Sequence, residues 1–335
     1  MNLTHFWALF VCRNREFLRD RSSLAWNLLF PVLLIAGFAF AFSGPGLDLY
    51  KVGVLGSSGY KADSAFLTTR YVRFLPVDDL PTALTKVERH QLDMLFDPAG
   101  QRYWINDESP KGYVLEQMLR GSGAPSPYQK ATVSGHEVRY VDWVLPGVLA
   151  MNMMFSCLFG VGYVIVRYRK NGMLKRLRAT PLTSLEFLAA QIGSRLWLVL
   201  STSVVVFAGT DLFIRFTMHG SYWNLFLVFA LGAVSLISLG VTIAARTTSE
   251  ELAGGLLNLL SWPMMFLSGI WFSLEGVHPW VRAFAQILPL THVIDAARAI
   301  MIDGAGLLDV SGHLLVLGVM SVVFMAIGAR SFRWE

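Results

Sequence analysis

The sequence predicts an α-helical polytopic membrane protein with six spans and a small α/β domain inserted between the first two. Three observations carry this. Of 335 residues 54% are hydrophobic and only 15% charged, against about a quarter charged in soluble domains. Six apolar runs each reach the ~20 residues that a helix needs to cross ~30 Å of hydrocarbon. Between the first two lies one long polar stretch, residues 44–142, with 11 Lys/Arg and 12 Asp/Glu.

In order, the runs are 22–42, 143–166, 187–210, 216–245, 252–274 and 310–329. Only the third holds a formal charge, Arg195. The segment before the first run, 1–21, is apolar and then basic, as an interfacial helix is. Ala39-Phe40-Ala41 resembles a signal-peptidase site. The long, partly apolar segment ahead of it, with Trp26 and Pro31 inside the run, favours a retained span.

Basic residues set the orientation. Arg13, Arg15, Arg19 and Arg21 precede the first run, and Arg167, Arg169, Lys170, Lys175, Arg176 and Arg178 follow the second. Arg246 follows the fourth run and Arg330 and Arg333 the sixth. Short Lys/Arg-rich loops stay cytoplasmic, so both termini are expected inside, and residue 60 outside. The net charge of +5 belongs to these loops and gives no nucleic-acid footprint. Cys12 and Cys157 fall in the tail and in an apolar run, an unpromising pair for a disulfide.

Within 44–142, strands are expected at 52–55, 72–77, 92–96 and 102–105 and helices at 80–90 and 113–119. Residues 121–135, rich in Gly, Ser and Pro, read as a linker. His136-Glu137 lacks the second histidine of a zinc motif, because Tyr140 stands at its position.

The basic segment 167–181 is short and lies between two spans. Gly172 permits a break, 173–179 can form two helical turns, and Pro181 turns the chain. Leu174 and Leu177, three apart, share a face. Two readings follow: a short helix docked in a groove of a cytosolic partner, or a solvated loop that fixes topology. On the docking reading Leu177→Asp uncouples the partner.

Further on, Pro279 and Pro289 divide 275–304 into two short helices at the outer face. Trp280, Phe284 and Ile287 line one side of the first, and Asp295 and Arg298 can pair on the second. Arg195 either lines a path or makes an inter-helix hydrogen bond, since a charge in a span faces protein or water. Gly254, Gly255, Asn258 and Ser261 allow close packing. Trp262 and Phe266 face lipid or a greasy substrate. Ser268, His292 and Asp295 have the composition of a triad, although sequence order shows no geometry.

The run G-M-L-K-R-L-R-A-T-P-L-T-S-L-E from Gly172 to Glu186 resembles the cytoplasmic coupling region of ABC transporter permeases of the type-2 exporter class. The matching residues are Gly172, Leu174, Arg176, Leu177, Thr180, Pro181 and Glu186. Leu145–Met151 and Leu267–Ala299 resemble two further stretches of that family, whereas Asn171 and Lys175 stand where it often has acids. The resemblance implies a permease subunit without catalytic residues, metal or cofactor of its own, in a bacterial inner membrane among its lipids. It implies two cytosolic ATPase subunits holding ATP and Mg, and a second permease copy or close paralogue. A periplasmic adaptor is left open. It also implies an outer gate or pathway among Arg195, Asn258, Phe266, Trp280, Pro289, Asp295 and Arg298. No G-x-x-x-x-G-K-[ST] loop occurs in the sequence, in keeping with a separate ATPase. Hydrophobic or amphipathic cargo, drug or lipid-like, is the expectation. Polysaccharide export, or a membrane sensor with an outer ligand-binding domain, are the alternatives; a sensor would need an output domain, and few residues follow the last run.

Overall fold

The computed structural model describes residues 3–41, 50–56, 65–122, 128–135, 139–216, 218–272, 274 and 278–332. The chain divides into two compact units, 1–40 with 140–335, and 41–139. His136-Glu137 and residues 275–277 of the outer-face segment lie outside the described residues.

Helix α1 (Leu3–Arg19) and α2 (Arg21–Ala41) open the first unit. They meet at a bend of 62°.

The second unit is a mixed sheet with a helix on each face. Its strands are β1 (Tyr50–Leu55), β2 (Val72–Val77), β3 (Met94–Asp97), β4 (Arg102–Asn106) and β5 (Gln129–Val133), in the order β2-β1-β3-β4-β5. Among the described residues only the β3–β4 pair is antiparallel. Helix α3 (Leu80–Glu88) starts on Asp79, whose carboxylate accepts from Thr82 N; α4 (Pro110–Gly121) starts on Ser109, whose hydroxyl accepts from Gly112 N. Both have proline in the first turn, where its missing N–H costs nothing. Alternation in the strands sorts the core. Val52, Val54, Met94, Phe96, Tyr103 and Ile105 face α4, where Leu115 and Leu119 close over them. Leu55, Leu95 and Trp104 turn to the other face, toward Ala83 and Val87 of α3.

The linker expected at 121–135 needs correction. Residues 129–133 are strand β5, paired in parallel with β4 from Arg102↔Gln129 to Asn106↔Val133. Its alternation is short and half-exposed, so composition pointed to a loop while pairing made a strand.

In the first unit, α5 (Tyr140–Cys157) passes through a π turn at Leu158–Tyr163 into α6 (Val164–Lys170). Next come α7 (Met173–Arg178), α8 (Ser184–Ile214), α9 (Tyr222–Ala244), α10 (Glu250–Leu267), α11 (Pro279–Ala285), α12 (Pro289–Met301) and α13 (Ser311–Ser331). Among the described residues four helical segments are long and apolar enough to cross a membrane: 140–170, 186–214, 222–244 and 311–331. Counting the bent pair 3–19 with 24–38 as one makes five.

Two runs shrink. The fourth begins at Tyr222 rather than Phe216, because Arg215 caps α8 in the left-handed region with φ 47°. The fifth is helical only to Leu267; Gly269 follows at φ 75°, a conformation glycine adopts without strain. Helix α10 is 18 residues long and starts with Glu250 and Glu251. These acids sit at the positive end of its dipole, and they shorten its apolar part.

The core of this unit is built on α5, where residues 144–154 are all buried. Gly232 and Gly240 of α9 let neighbours approach: a Cβ on Gly240 would meet Leu158 O at 3.2 Å. Helix α9 is central, with α13, α12 and the π turn packed around it.

Candidate coupling element and membrane cavity

The basic segment begins inside the fold. Arg169, near the end of α6, is buried. Its Nη1 donates to Ala244 O at 2.9 Å and to Thr247 O, and its Nη2 to Ala245 O at 3.1 Å. Those carbonyls end α9, where the helix has no donors left of its own. Nearby, Lys170 Nζ lies 3.6 Å from Glu250 of α10, and the Tyr163 hydroxyl donates to the same carboxylate at 2.8 Å. This end of α6 is thus tied to α9 and α10.

Gly172, at φ 68°, then reverses the chain. Any other residue would be strained there. Helix α7 follows, with Leu174 fully buried and Leu177 half-buried against the unit's own core. The leucines do share a face, as their spacing predicts, but that face is turned inward. They anchor α7 to its own chain. What α7 presents outward is Lys175, Arg176 and Arg178, followed by Thr180 and Pro181. The Thr180 hydroxyl donates to Leu177 O at 2.6 Å.

Glu186 has a local duty. Thr183 N donates to its carboxylate at 3.1 Å, and Glu186 N donates to Thr183 Oγ1 at 3.3 Å. This is a capping box at the start of α8. His5 Nδ1 of α1 lies 3.6 Å from the same carboxylate.

Arg195 and Asn258 line one cavity of about 640 Å³, with Arg13, Glu16, Asn152 and Gln191 among the other polar residues of its wall. Helices α1, α2, α5, α6, α8 and α10 and the π turn contribute to it. Arg195 Nε donates to Ser156 O at 2.6 Å, and the guanidinium stands 5.5 Å from the Phe17 ring centre. The inter-helix bond expected for a buried arginine is therefore made by the same residue that lines the cavity. Asn27 joins the wall through Ser156 Oγ, which donates to its Oδ1 at 2.5 Å, and Asn152 Nδ2 donates to its carbonyl at 3.3 Å. Glu16 gathers Arg13 at 2.6 Å, Arg167 at 3.3 Å and the Tyr168 hydroxyl at 2.5 Å. These contacts fasten α1 to α6.

The remaining gate candidates sit elsewhere. Arg298 does not close on Asp295. Its guanidinium stacks on Trp143 at 3.6 Å and donates to Trp143 O at 3.1 Å and Gly269 O at 2.7 Å. Carbonyls freed where α10 ends outcompete a carboxylate one turn away. Arg298 thus joins α12, the start of α5 and the turn after α10. Pro289 is buried at the start of α12, where the ring suits the first helical turn. Trp280 is 80% exposed and Phe266 46%, the latter stacked on Trp262 at 6.0 Å. Phe284 and Ile287 are exposed with Trp280, an apolar edge of the kind an interface takes.

The imagined triad is absent. Ser268 Oγ accepts from Thr291 Oγ1 at 3.1 Å. His292 instead sets Nδ1 3.0 Å from His313 Nδ1 and Nε2 2.8 Å from Gln286 O. Since Gln286 O only accepts, His292 Nε2 carries a hydrogen.

The first unit thus holds a buried arginine at the end of α6 and a short cationic helix, α7, and the sheet unit falls between α2 and α5 in the sequence. One family model matches most of the chain. Described as ABC-2 family transporter protein, it matches residues 21–330. The chain belongs to this family. As an ABC-2 protein it is a multi-pass membrane protein. It is 28% identical over 195 residues to the inner membrane transport permease YhhJ of Escherichia coli K12, covering 56% of this chain and 51% of that one. The chain thus spans about half the length of that relative. The daunorubicin resistance ABC transporter permease protein DrrB1 of Streptomyces coeruleorubidus is 24% identical over 198 residues, 58% of this chain and 69% of that protein. The probable multidrug ABC transporter permease YbhS of Escherichia coli K12 aligns over 369 positions at 22% identity, 97% of this chain and 93% of its own.

Sequence reasoning singled out Arg195 and Asn258 but passed over Gln191, Asn152 and Asn27. A signal existed: Gln191, Ser194, Arg195 and Leu198 follow the i, i+3, i+4, i+7 spacing of one helix face, and all four line the cavity.

Proposed function

We propose that this ABC-2 chain is the transmembrane permease subunit of an ATP-driven exporter in a bacterial inner membrane. It moves a hydrophobic or amphipathic substrate out of the cytoplasm or the inner leaflet. Two copies of a separate cytosolic ATPase subunit bind ATP and Mg and supply the work. A second copy of the chain, or a close paralogue, completes the pathway. Six spans are assigned to α2, α5 with α6, α8, α9, α10 and α13, with both termini cytoplasmic and residues 43–142 outside.

The observation that carries this reading is α7. A two-turn helix with one leucine fully buried and three cations exposed is a rigid strut with a charged foot. Through α6 and Arg169 it is continuous with the end of α9. A push on Lys175, Arg176 or Arg178 therefore reaches two spans without first bending a loop. Gly172, Thr180 and Pro181 set the strut's ends, and Glu186 starts the span after it. At the outer side, Arg298, Pro289 and Asp295 on α12, with Trp280 on α11, form the closure, and Phe266 with Trp262 borders it.

Cysteine accessibility tests the topology. In a Cys12→Ser background, Lys86→Cys labels in intact spheroplasts and Lys175→Cys labels only after permeabilisation. Labelling of position 175 from outside refutes the assignment. Co-purification in mild detergent with an ABC ATPase whose activity rises on reconstitution supports the motor, and recovery of no ATPase refutes it.

A further inference from the structure

We infer that the cavity beside the π turn binds an amphiphile with an anionic headgroup, a phosphate or carboxylate, and that Arg195 is its counter-ion. This rests on the export reading only in naming the bound molecule as cargo or its mimic.

The argument begins with charge. Arg195 is 9% exposed, eleven residues into α8 and so about 17 Å along it at 1.5 Å per residue. A guanidinium at such depth is costly unless it is paired or faces a polar space. Among the described residues its hydrogen bond is the one from Nε to Ser156 O. The two acids of the cavity wall, Glu16 and Asp20, make no ion pair with it within 4 Å. Glu16 is already held by Arg13 and Arg167. Arg195 thus lines the cavity with no carboxylate among the described residues paired to it, and its guanidinium is the planar fork that matches carboxylate and phosphate.

A second, independent observation points to a ligand in the same place. Gln191, one turn before Arg195 on the same face, is 2% exposed, and its Oε1 has no donor within hydrogen-bond distance. Buried polar atoms are paired in nearly all proteins, and an orphan asks for an unseen partner. An O–H or N–H on the same headgroup would serve it. Asn152 and Asn258 add further polar atoms to the wall.

The rest of the wall suits a hydrocarbon chain. Phe17, Trp26, Phe30, Phe155 and Phe159 line it, and about 640 Å³ is the size of a ligand pocket rather than of a water site. A small anion would leave this aromatic surface unused. A neutral greasy molecule would leave Arg195 and Gln191 unanswered.

The test is native mass spectrometry of the full-length permease alone, released from dodecyl maltoside micelles and titrated with dodecyl phosphate. One dodecyl phosphate per chain should bind at least about tenfold more tightly than dodecylphosphocholine. Arg195→Gln should lose about tenfold, while Arg195→Lys should stay within about threefold of wild type. Should Arg195→Gln fail to purify, Gln191→Leu, with Arg195 intact, should weaken dodecyl phosphate by about threefold or more. A photoreactive dodecyl phosphate should label 155–159 or 191–198. Equal binding of the zwitterion, unchanged binding in both variants, or labelling elsewhere overturns the proposal. So does full displacement by inorganic phosphate, which would make this a free-anion site. Neither ATP nor the ATPase enters the assay, so failure here leaves the coupling reading standing, and failure of coupling leaves this result readable.

Discussion

The guanidinium of Arg195 rests directly on Gly160: an ideal Cβ on that glycine would fall inside it, overlapping Cζ, Nε and Nη2. Gly160 lies in the π turn that joins α5 to α6. A π turn adds a residue to the helical repeat and re-aims the groups around it. Here Ser156 O, two residues ahead of the turn, takes Arg195 Nε, and Gly160 O takes Arg13 Nη2 at 3.5 Å. Two arginines from α8 and α1 thus bond to carbonyls just ahead of and within one irregular turn, and the missing side chain at 160 makes room for the Arg195 guanidinium.

Gly160→Ala should therefore expel the guanidinium from its seat. Overpacking of this kind costs about 1–3 kcal/mol, and the Nε bond to Ser156 O would go with it. The expected result is a lower unfolding temperature in detergent, with the loss largely relieved by the double variant Gly160→Ala, Arg195→Ala. An additive double variant would show that the two residues do not interact.

Much of this was legible in the chain. Each apolar run carries a helix among the described residues, although the fourth starts only at Tyr222 and the fifth ends at Leu267, and the strands at 52–55, 72–77 and 102–105, read from periodicity, are formed. What escaped has a common cause. Strand β5 exists because β4 offers it a ladder, not because its own residues alternate strongly. Leu174 and Leu177 announce a shared face, but spacing alone does not say whether that face meets the chain's own core or a partner. Arg169 sits among six cations that look equally solvated in sequence; only the approach of α9 removes it from water. Arg298 finds carbonyls that exist only because α10 stops at Leu267.

Arg169 supplies the second prediction. Charged donors to carbonyls contribute about 1.5–3 kcal/mol each, and Arg169 serves three carbonyls at the end of α9. Arg169→Gln keeps a donor but reaches fewer of them. A loss of about 2 kcal/mol raises local opening by about thirtyfold, each 1.4 kcal/mol being tenfold. Hydrogen exchange should accelerate in 244–251 and stay unchanged in 311–331. Uniform acceleration across both would mean that the residue holds the whole unit, not the end of one helix.

Helix α7 separates anchor from foot, and the third prediction exploits that. Leu174→Ala removes a fully buried side chain and should cost about 2–5 kcal/mol, seen as poor yield and rapid exchange through 173–178. Arg176→Glu reverses an exposed charge and should leave yield and melting temperature as in wild type. On the coupling reading it nevertheless abolishes stimulation of the ATPase in proteoliposomes. Leu177→Asp, half-buried against the core, should behave like Leu174→Ala rather than like Arg176→Glu. A well-folded Leu177→Asp protein with lost stimulation would restore the leucine face as the docking surface.

The fourth prediction concerns the sheet unit and its pH dependence. Glu116 of α4 is buried, yet its Oε1 accepts from the Tyr103 hydroxyl at 3.0 Å and Arg120 at 2.5 Å, and its Oε2 accepts from Lys130 of β5 at 2.8 Å. Burial works to raise its pKa; the hydrogen bonds from Lys130 and Tyr103 and the charges of Lys130 and Arg120 together outweigh burial and hold the carboxyl below its usual range. A depressed folded pKa gives stability that is complete above the unfolded value of about 4.3 and is lost as pH falls through the folded one. Glu116→Gln should cost about 1–2 kcal/mol at pH 7, because two of the three partners are partly solvated and a neutral amide bonds them less strongly. Protection of 102–106 and 129–133, read by pulsed hydrogen exchange in the full chain after equilibration from pH 7 to pH 3, should differ between wild type and variant at neutral pH. The two should converge as pH falls below about 4. A difference that persists undiminished at pH 3 would show that the carboxylate charge does not hold β5 to α4.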